Sequence, residues 1–324
     1  MAGNRDKPIQ PVSGTEVPRY AGPSTFARLP ELRDVPRCDV AIVGVPFDAG
    51  TSYRPGARFG PQAIRQASRH LRTQFHPAYG TEPFMEQQVA DAGDIACNPF
   101  NIAEAVAQIQ SAATNLLDQV GGIISMGGDH TIALPLLRAV NQQVGPVALV
   151  HFDAHLDTWD TYFGAPDTHG TVFRRAGEEK LFLDHASMHV GIRGPLYSRD
   201  DLKRDEDLGF KIVHCDEFES DGIDKVVERI RKRVGDHPLY LSIDIDVLDP
   251  AHAPGTGTPE IAGMSTRELL NVLRGLAGLR IASADVVEVA PAYDHAELTS
   301  LAAATVIYEI TNLFARSPIK PRGS

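Results

Sequence analysis

The chain predicts an α/β fold in which a mostly parallel sheet is covered on both faces by helices. Short apolar, β-branched runs alternate with longer segments of helical period along nearly the whole sequence. Those runs are continuously hydrophobic rather than alternating, as expected of strands buried on both sides. The conspicuous charged residues gather just after the runs, and open α/β sheets bind ligands beyond the carboxyl ends of their strands.

Residues 1–36 are rich in proline and polar groups, with apolar anchors at Tyr20, Phe26 and Leu29. They predict an extended arm, able to pack on a neighbouring subunit, ahead of one domain over 37–320. The first strand is expected over 39–46, followed by a Gly/Pro-rich loop over 48–61. Pro61 is suited to a first helical turn and opens a helix through Ala63, Ile64, Ala67 and Leu71. A short strand at 88–91 and a helix over 101–117 come next, then a strand at 122–126, a helix over 131–140 and a strand at 146–150. The alternation continues with strands at 188–192, 210–213, 239–243 and 281–289, and with helices near 199–208, 221–234, 266–276 and 299–314. No internal repeat, low-complexity stretch or second domain boundary interrupts it.

With 324 residues the chain can bury a sizeable core. Its net charge of -11 disfavours nucleic acid or an anionic membrane as the main partner and favours cationic ligands. Cys38, Cys97 and Cys215 stand apart, so neither a disulfide framework nor a thiolate zinc site is indicated. No apolar run approaches the roughly 18–20 residues of a membrane span, and the N-terminus lacks a signal-peptide core. These features predict a soluble protein of the reducing cytoplasm.

The strongest chemical signal is a set of six residues at three strand ends. Asp153, His155 and Asp157 follow one apolar run at alternate positions, so in extended backbone they point to one side. Asp244 and Asp246 repeat the pattern, and His130 ends Gly127-Gly128-Asp129-His130. A single strand-end Asp is usually a turn former or helix cap. Six nitrogen and oxygen donors without sulfur exceed what one tetrahedral zinc uses and suit two divalent ions of the manganese kind. Such a pair generates a hydroxide nucleophile at neutral pH, so a hydrolase is indicated. Glu288 lies inside an apolar run, where burial demands a cationic or donor partner. A substrate guanidinium or a structural arginine would serve equally. His169, a loop after the first metal stretch, is placed either for proton transfer or as an ordinary surface residue.

Three of these segments, Gly127-Gly128-Asp129-His130, Asp153-Ala154-His155-Leu156-Asp157 and Ser242-Ile243-Asp244-Ile245-Asp246-Val247-Leu248-Asp249-Pro250, resemble in order the signatures of the ureohydrolase family, which includes arginases and agmatinases. The stretches 253–260 and 285–294 resemble the agmatinase branch more than arginase. The resemblance spans about 38–314 and implies a three-layer α/β/α sandwich with a sheet of about eight strands. It implies that His130, Asp153, Asp157 and Asp244 hold one Mn2+ while Asp153, His155, Asp244 and Asp246 hold the other. Ni2+, Co2+ or Fe2+ satisfy the same donors. It further implies that Glu288 holds the guanidinium, that His169 protonates the departing amine, and that the products are urea and an amine. A homotrimer or homohexamer is implied as well.

Substrate choice is less legible. The tail is expected to meet Trp159, Asp160, Tyr162 and Asp167, with Arg193 and Tyr197 nearby. The aspartates suit agmatine, whose cleavage to putrescine belongs to polyamine metabolism, whereas Arg193 and Arg199 suit 4-guanidinobutanoate or 3-guanidinopropanoate. Agmatine leads on the branch resemblance. A dinuclear phosphohydrolase would need a basic or glycine-rich phosphate cradle, for which Gly127-Gly128 is too slight. A regulatory protein that has lost activity is opposed by the intact ligands, His169 and Glu288.

Overall fold

A computed structural model describes residues 7–318. Eight strands form one sheet: β1 (Cys38–Val45), β2 (Val89–Asp94), β3 (Val120–Gly127), β4 (Ala148–Phe152), β5 (Met188–Ile192), β6 (Lys211–His214), β7 (Leu239–Asp244) and β8 (Ile281–Val287). Their order is β2-β1-β3-β8-β7-β4-β5-β6, and every neighbouring pair is parallel. Parallel neighbours need crossovers, which the helices supply. They are α1 (Gly60–Ser68), α2 (Pro83–Glu86), α3 (Ile102–Leu117), α4 (Ala133–Val144), α5 (Val172–Glu178), α6 (Asp201–Asp207), α7 (Glu217–Asp221), α8 (Ile223–Val234), α9 (Thr266–Gly275) and α10 (Leu298–Arg316). Two apolar clusters result, one on each face of the sheet. One gathers Ile42, Leu241 and Val286 with Ile64, Leu269 and Ile307, and the other gathers Ala41, Ile123 and Leu149 with Ile109, Leu137 and Phe173.

Local chemistry sets several boundaries. The Asn101 side chain accepts the Glu104 amide at the start of α3, and Ser265 and Glu268 cap α9 reciprocally. Helix α10 is long and apolar enough by length and composition to cross a membrane, contrary to the expectation that no run comes near. Its Thr, Ser, Glu and Asn residues mask the run when the sequence is read linearly. In the fold it packs against α1, α9 and β8 as a core helix.

The segment read as an extended arm follows its own domain wherever it is described. Phe26 and Leu29 are buried, the Phe26 amide donates to Asp91 at 2.6 Å, and the Ala27 amide donates to Ser68 at 2.7 Å. Short 3-10 turns at Phe26–Arg28 and Leu32–Asp34 interrupt an otherwise irregular stretch. Tyr20, expected as an anchor, is 87% exposed. Residues 1–6 lie outside the described range.

Candidate active site

The ends of β3, β4 and β7 meet on one rim of the sheet. At Gly128 an added Cβ would run into the Phe47 carbonyl, so the chain turns there without a side chain. The turn directs Asp129 and His130 to the rim. Asp129 accepts the Thr131 amide at 3.0 Å and the Gly50 amide at 2.7 Å, tying the loop after β1 over the site. Extended backbone does not persist through the second motif, because β4 ends at Phe152 and Asp157 takes φ 53°. The side chains converge all the same. His130 Nδ1 lies 2.9 Å from Asp157, 3.4 Å from Asp153 and 3.4 Å from Asp244. His155 Nδ1 lies 3.2 Å from Asp153 and 3.1 Å from Asp246. Asp153 turns Oδ2 to the first set and Oδ1 to the second.

The donors fit two cations. Ser242 Oγ spends its hydrogen on Asp285 Oδ1 at 2.7 Å, so it accepts from His130 Nε2 at 2.8 Å. Tyr240 donates to the other oxygen of Asp285. His130 Nδ1, fully buried and without a hydrogen bond, is thereby aimed at three carboxylates. Such outer partners orient ligating histidines in metal sites. In the protein alone, burial works against the charged form of His130, yet the three carboxylates outweigh it and raise its pKa well above the ordinary value. Burial and the neighbouring carboxylates likewise raise Asp244, and they bring Asp246 to about 6. The cluster attracts positive charge, and it is suited to a dinuclear metal site.

His151 was not singled out in the sequence, although it too stands at an alternate position, two residues before Asp153. It belongs to the same buried group of possible ligands. Both of its ring nitrogens are engaged, however, Nε2 with Asp153 and Nδ1 with His189, each at 2.7 Å. Burial lowers its pKa to about 3, and with both nitrogens engaged the neutral ring supports Asp153 instead of offering a lone pair.

Glu288 follows β8 directly at φ 64°. Its Oε1 accepts the His130 amide at 2.9 Å and lies 3.2 Å from His169 Nδ1, while Oε2 is buried with no partner. No arginine of the described residues meets it. Across from Oε2, a Cβ added at Gly257 would come within 3.3 Å, so the space in front of this oxygen is kept clear. His169 Nε2 lies 2.7 Å from the hydroxyl of exposed Ser52, a route to solvent. Burial lowers the pKa of His169, but the Glu288 carboxylate overrides it and raises the value to about 9.

The residues expected at the substrate tail divide. Trp159, Tyr162 and Tyr197 form an aromatic group with ring centroids 5.4–6.2 Å apart, and the Tyr162 ring lies 6.4 Å from that of His169. Asp160, by contrast, is exposed and pairs with Arg175 at 2.6 Å, so its charge is already matched away from the cluster. Asp167 is half-buried and interacts with Arg138. Arg193 donates to the carbonyls of Asp246, Glu260, Val247 and Ile261 at 2.6–3.1 Å. Its guanidinium is committed to the backbone and does not present itself to a substrate carboxylate. Arg199 is exposed on the same loop.

Residues 38–312 match the arginase family. The chain belongs to that family. A putative agmatinase of Schizosaccharomyces pombe is 44% identical to this arginase-family chain, with 93% of this chain and 84% of the relative aligned. Guanidinobutyrase of Pseudomonas aeruginosa is 43% identical over 93% of this chain and 95% of the relative. The solved structure of proclavaminate amidino hydrolase from Streptomyces clavuligerus superposes with a TM-score of 0.88 at 43% identity, covering 92% of this chain and 99% of that one. The parallel eight-stranded sheet is thus the arginase-like α/β fold expected from the sequence.

Proposed function

We propose that this enzyme cleaves agmatine to putrescine and urea with two Mn2+ ions held by His130, Asp153, His155, Asp157, Asp244 and Asp246. The chain is a hydrolase of an amidino carbon–nitrogen bond and releases urea from a guanidino compound. The observation that carries the reading is Glu288 Oε2, a buried acceptor without a partner beside the ligand cluster. A guanidinium N–H is a matching donor. Two bound divalent ions would supply a hydroxide nucleophile at neutral pH and stabilise developing negative charge. Glu288 orients the guanidinium and lowers the penalty of burying its charge. His169, held by Glu288 and open to solvent through Ser52, delivers a proton to the departing amine. Ni2+, Co2+ and Fe2+ are the competing ions for this donor set.

For the tail, the aromatic rim of Trp159, Tyr162 and Tyr197 suits an ammonium group, and Glu260 adds a carboxylate 3.9 Å from His155. One observation favours a guanidino acid instead. Arg54, half-buried, is placed 5.4 Å from the Tyr53 ring and 5.3 Å from the Tyr293 ring, without a carboxylate partner among the described residues. Its backbone oxygen and Glu288 Oε2 both lie beside Gly257. Urea release from Mn2+-loaded protein offered agmatine, 4-guanidinobutanoate, 3-guanidinopropanoate and arginine separates the readings, with Asp153→Ala as the inactive control. Selective turnover of agmatine supports the first. Turnover of a guanidino acid that is lost in Arg54→Gln establishes the second, and no urea from any of the four overturns both.

The site is assembled in a cytoplasmic homotrimer or homohexamer. All three cysteines are free, and burial pushes the Cys38 thiol up to about 12, in keeping with a reducing compartment. An apolar groove lined by Leu269, Leu270, Leu298 and Leu301 supports assembly. Light scattering on the eluting protein would show a monomer if this part is wrong.

A further inference from the structure

Behind Asp153 lies a line of buried polar groups for which the reaction above has no use. His151 Nε2 lies 2.7 Å from Asp153 Oδ2, His151 Nδ1 lies 2.7 Å from His189 Nδ1, and His189 Nε2 lies 3.0 Å from Asp205 Oδ1. All four side chains are 0% exposed. The arrangement follows from the sheet, since His151 and His189 are paired in register on β4 and β5, while Asp205 reaches them from α6. Asp205 also accepts the Thr158 hydroxyl at 3.0 Å, and on the same helix Asp201 accepts the Trp159 indole N–H at 3.4 Å. The segment just after the ligand Asp157 is therefore held from the same side.

Hydrogen counting gives the line a direction. An ionised ligand carboxylate brings no hydrogen, so the first link uses the hydrogen on His151 Nε2. His151 Nδ1 is then a lone pair, and at 2.7 Å it must be met by an N–H on His189 Nδ1. The third link needs a further hydrogen, held either on His189 Nε2, which makes the ring an imidazolium against the Asp205 carboxylate, or on a protonated Asp205 that donates to Nε2. Without Asp205 a neutral His189 could equally turn a lone pair toward the lone pair of His151 Nδ1, which a buried site cannot sustain. The rings are held in place by aromatic neighbours. Phe210 stacks on His189 with centroids 3.9 Å apart, and Phe173 lies 4.3 Å from His151.

We propose that His189, backed by Asp205, is a positioning residue for the metal centre: it fixes His151 in the tautomer that donates to Asp153, and so holds that carboxylate with one oxygen toward each ligand set. The inference rests on the two-metal reading. Leucine at 189 removes the donor and leaves His151 Nδ1 unpaired in the core. Glutamine keeps an N–H donor of similar reach.

The test titrates Mn2+ into metal-stripped wild type, His189→Leu and His189→Gln by chelator competition, with circular dichroism of each metal-free protein. Nitrogen-15 spectra of the histidines in metal-free wild type accompany it. Losing such an outer partner weakens metal binding about 10–100-fold, which is the expected result for His189→Leu, with His189→Gln restored to within about threefold. The spectra should show His151 protonated on Nε2. A folded His189→Leu protein that binds Mn2+ as tightly as wild type overturns the proposal, and so does a His151 that carries its hydrogen on Nδ1. The spectra decide alone if His189→Leu fails to fold. Wild-type protein that binds no Mn2+ removes the two-metal reading instead, which is a separate outcome.

Discussion

Glu288 concentrates the chemistry of this molecule into one carboxylate, with one oxygen used by the protein and the other left over. Oε1 fixes the His130 amide and His169, so it links the buried His/Asp cluster to the histidine proposed to transfer the proton. Oε2 is buried and free, a state that persists only where a ligand completes it. Glu288→Gln keeps an acceptor for the His130 amide and removes the charge. The expected outcome is a loss of about 3 kcal/mol, or about two orders of magnitude in kcat/KM. Mn2+ content should be unchanged, because Glu288 touches ligands without being one. Urea assays paired with metal analysis check both halves, and a variant that loses its metal would show that Glu288 acts through the cluster rather than on the substrate. The sequence marked Glu288 as anomalous because a carboxylate in an apolar run is costly to bury. Asp285, three residues earlier in the same run, carries the same mark, and in the fold it anchors Ser242 behind His130.

At the scale of elements, strands were easier to read than the loops that link them. Eight apolar runs gave eight strands, because a parallel sheet buried on both faces needs continuous hydrophobic stretches. Helices α2 and α7 span only four and five residues, too few to display a 3.6-residue period, and α5 rises straight out of the loop after Asp157 with no separate signal. The tail-reading loops escaped for another reason. Whether Asp160 or Arg193 faces a substrate depends on which partner lies across space, Arg175 for the first and a ring of carbonyls for the second. Arg193 fastens the segment after β7, including the backbone of Asp246 and Glu260. Arg193→Met would leave several of those carbonyls unpaired, so the expected destabilisation is about 2–4 kcal/mol, seen as a lower melting temperature. KM should rise alike for cationic and anionic guanidino compounds. A loss confined to guanidino acids would return Arg193 to the role of carboxylate reader.

Across the whole molecule the site is a store of unfavourable charge that the fold holds together, and pH makes this measurable. In the metal-free protein, burial and neighbouring carboxylates raise Asp246 to about 6, burial with Glu288 raises Asp129 to about 7, and Glu288 raises His169 to about 9 against the opposing effect of burial. Each of these groups binds its proton more tightly folded than unfolded. The stability each contributes is fully present below its unfolded pKa and is lost as pH rises through its folded value. For the two aspartates that window runs from about 4 to about 6 and 7, and for His169 from about 6.5 to about 9. His130 and His155, which the surrounding carboxylates raise well above their ordinary values despite burial, act in the same direction, and His151, lowered to about 3 by burial, opposes them only below about 6.5. Metal-stripped protein should therefore melt at progressively lower temperature as pH is raised from 5 to 9. Divalent ions bound in the cluster would take the place of those protons and bind better as they leave. At one hundred times its dissociation constant a single ion adds about 2.7 kcal/mol, enough to lift the melting temperature by about 4 °C. Thermal melts across pH, with and without Mn2+, should diverge toward the alkaline end. Parallel curves would mean that the cation does not occupy the cluster of Asp153, Asp244 and Asp246.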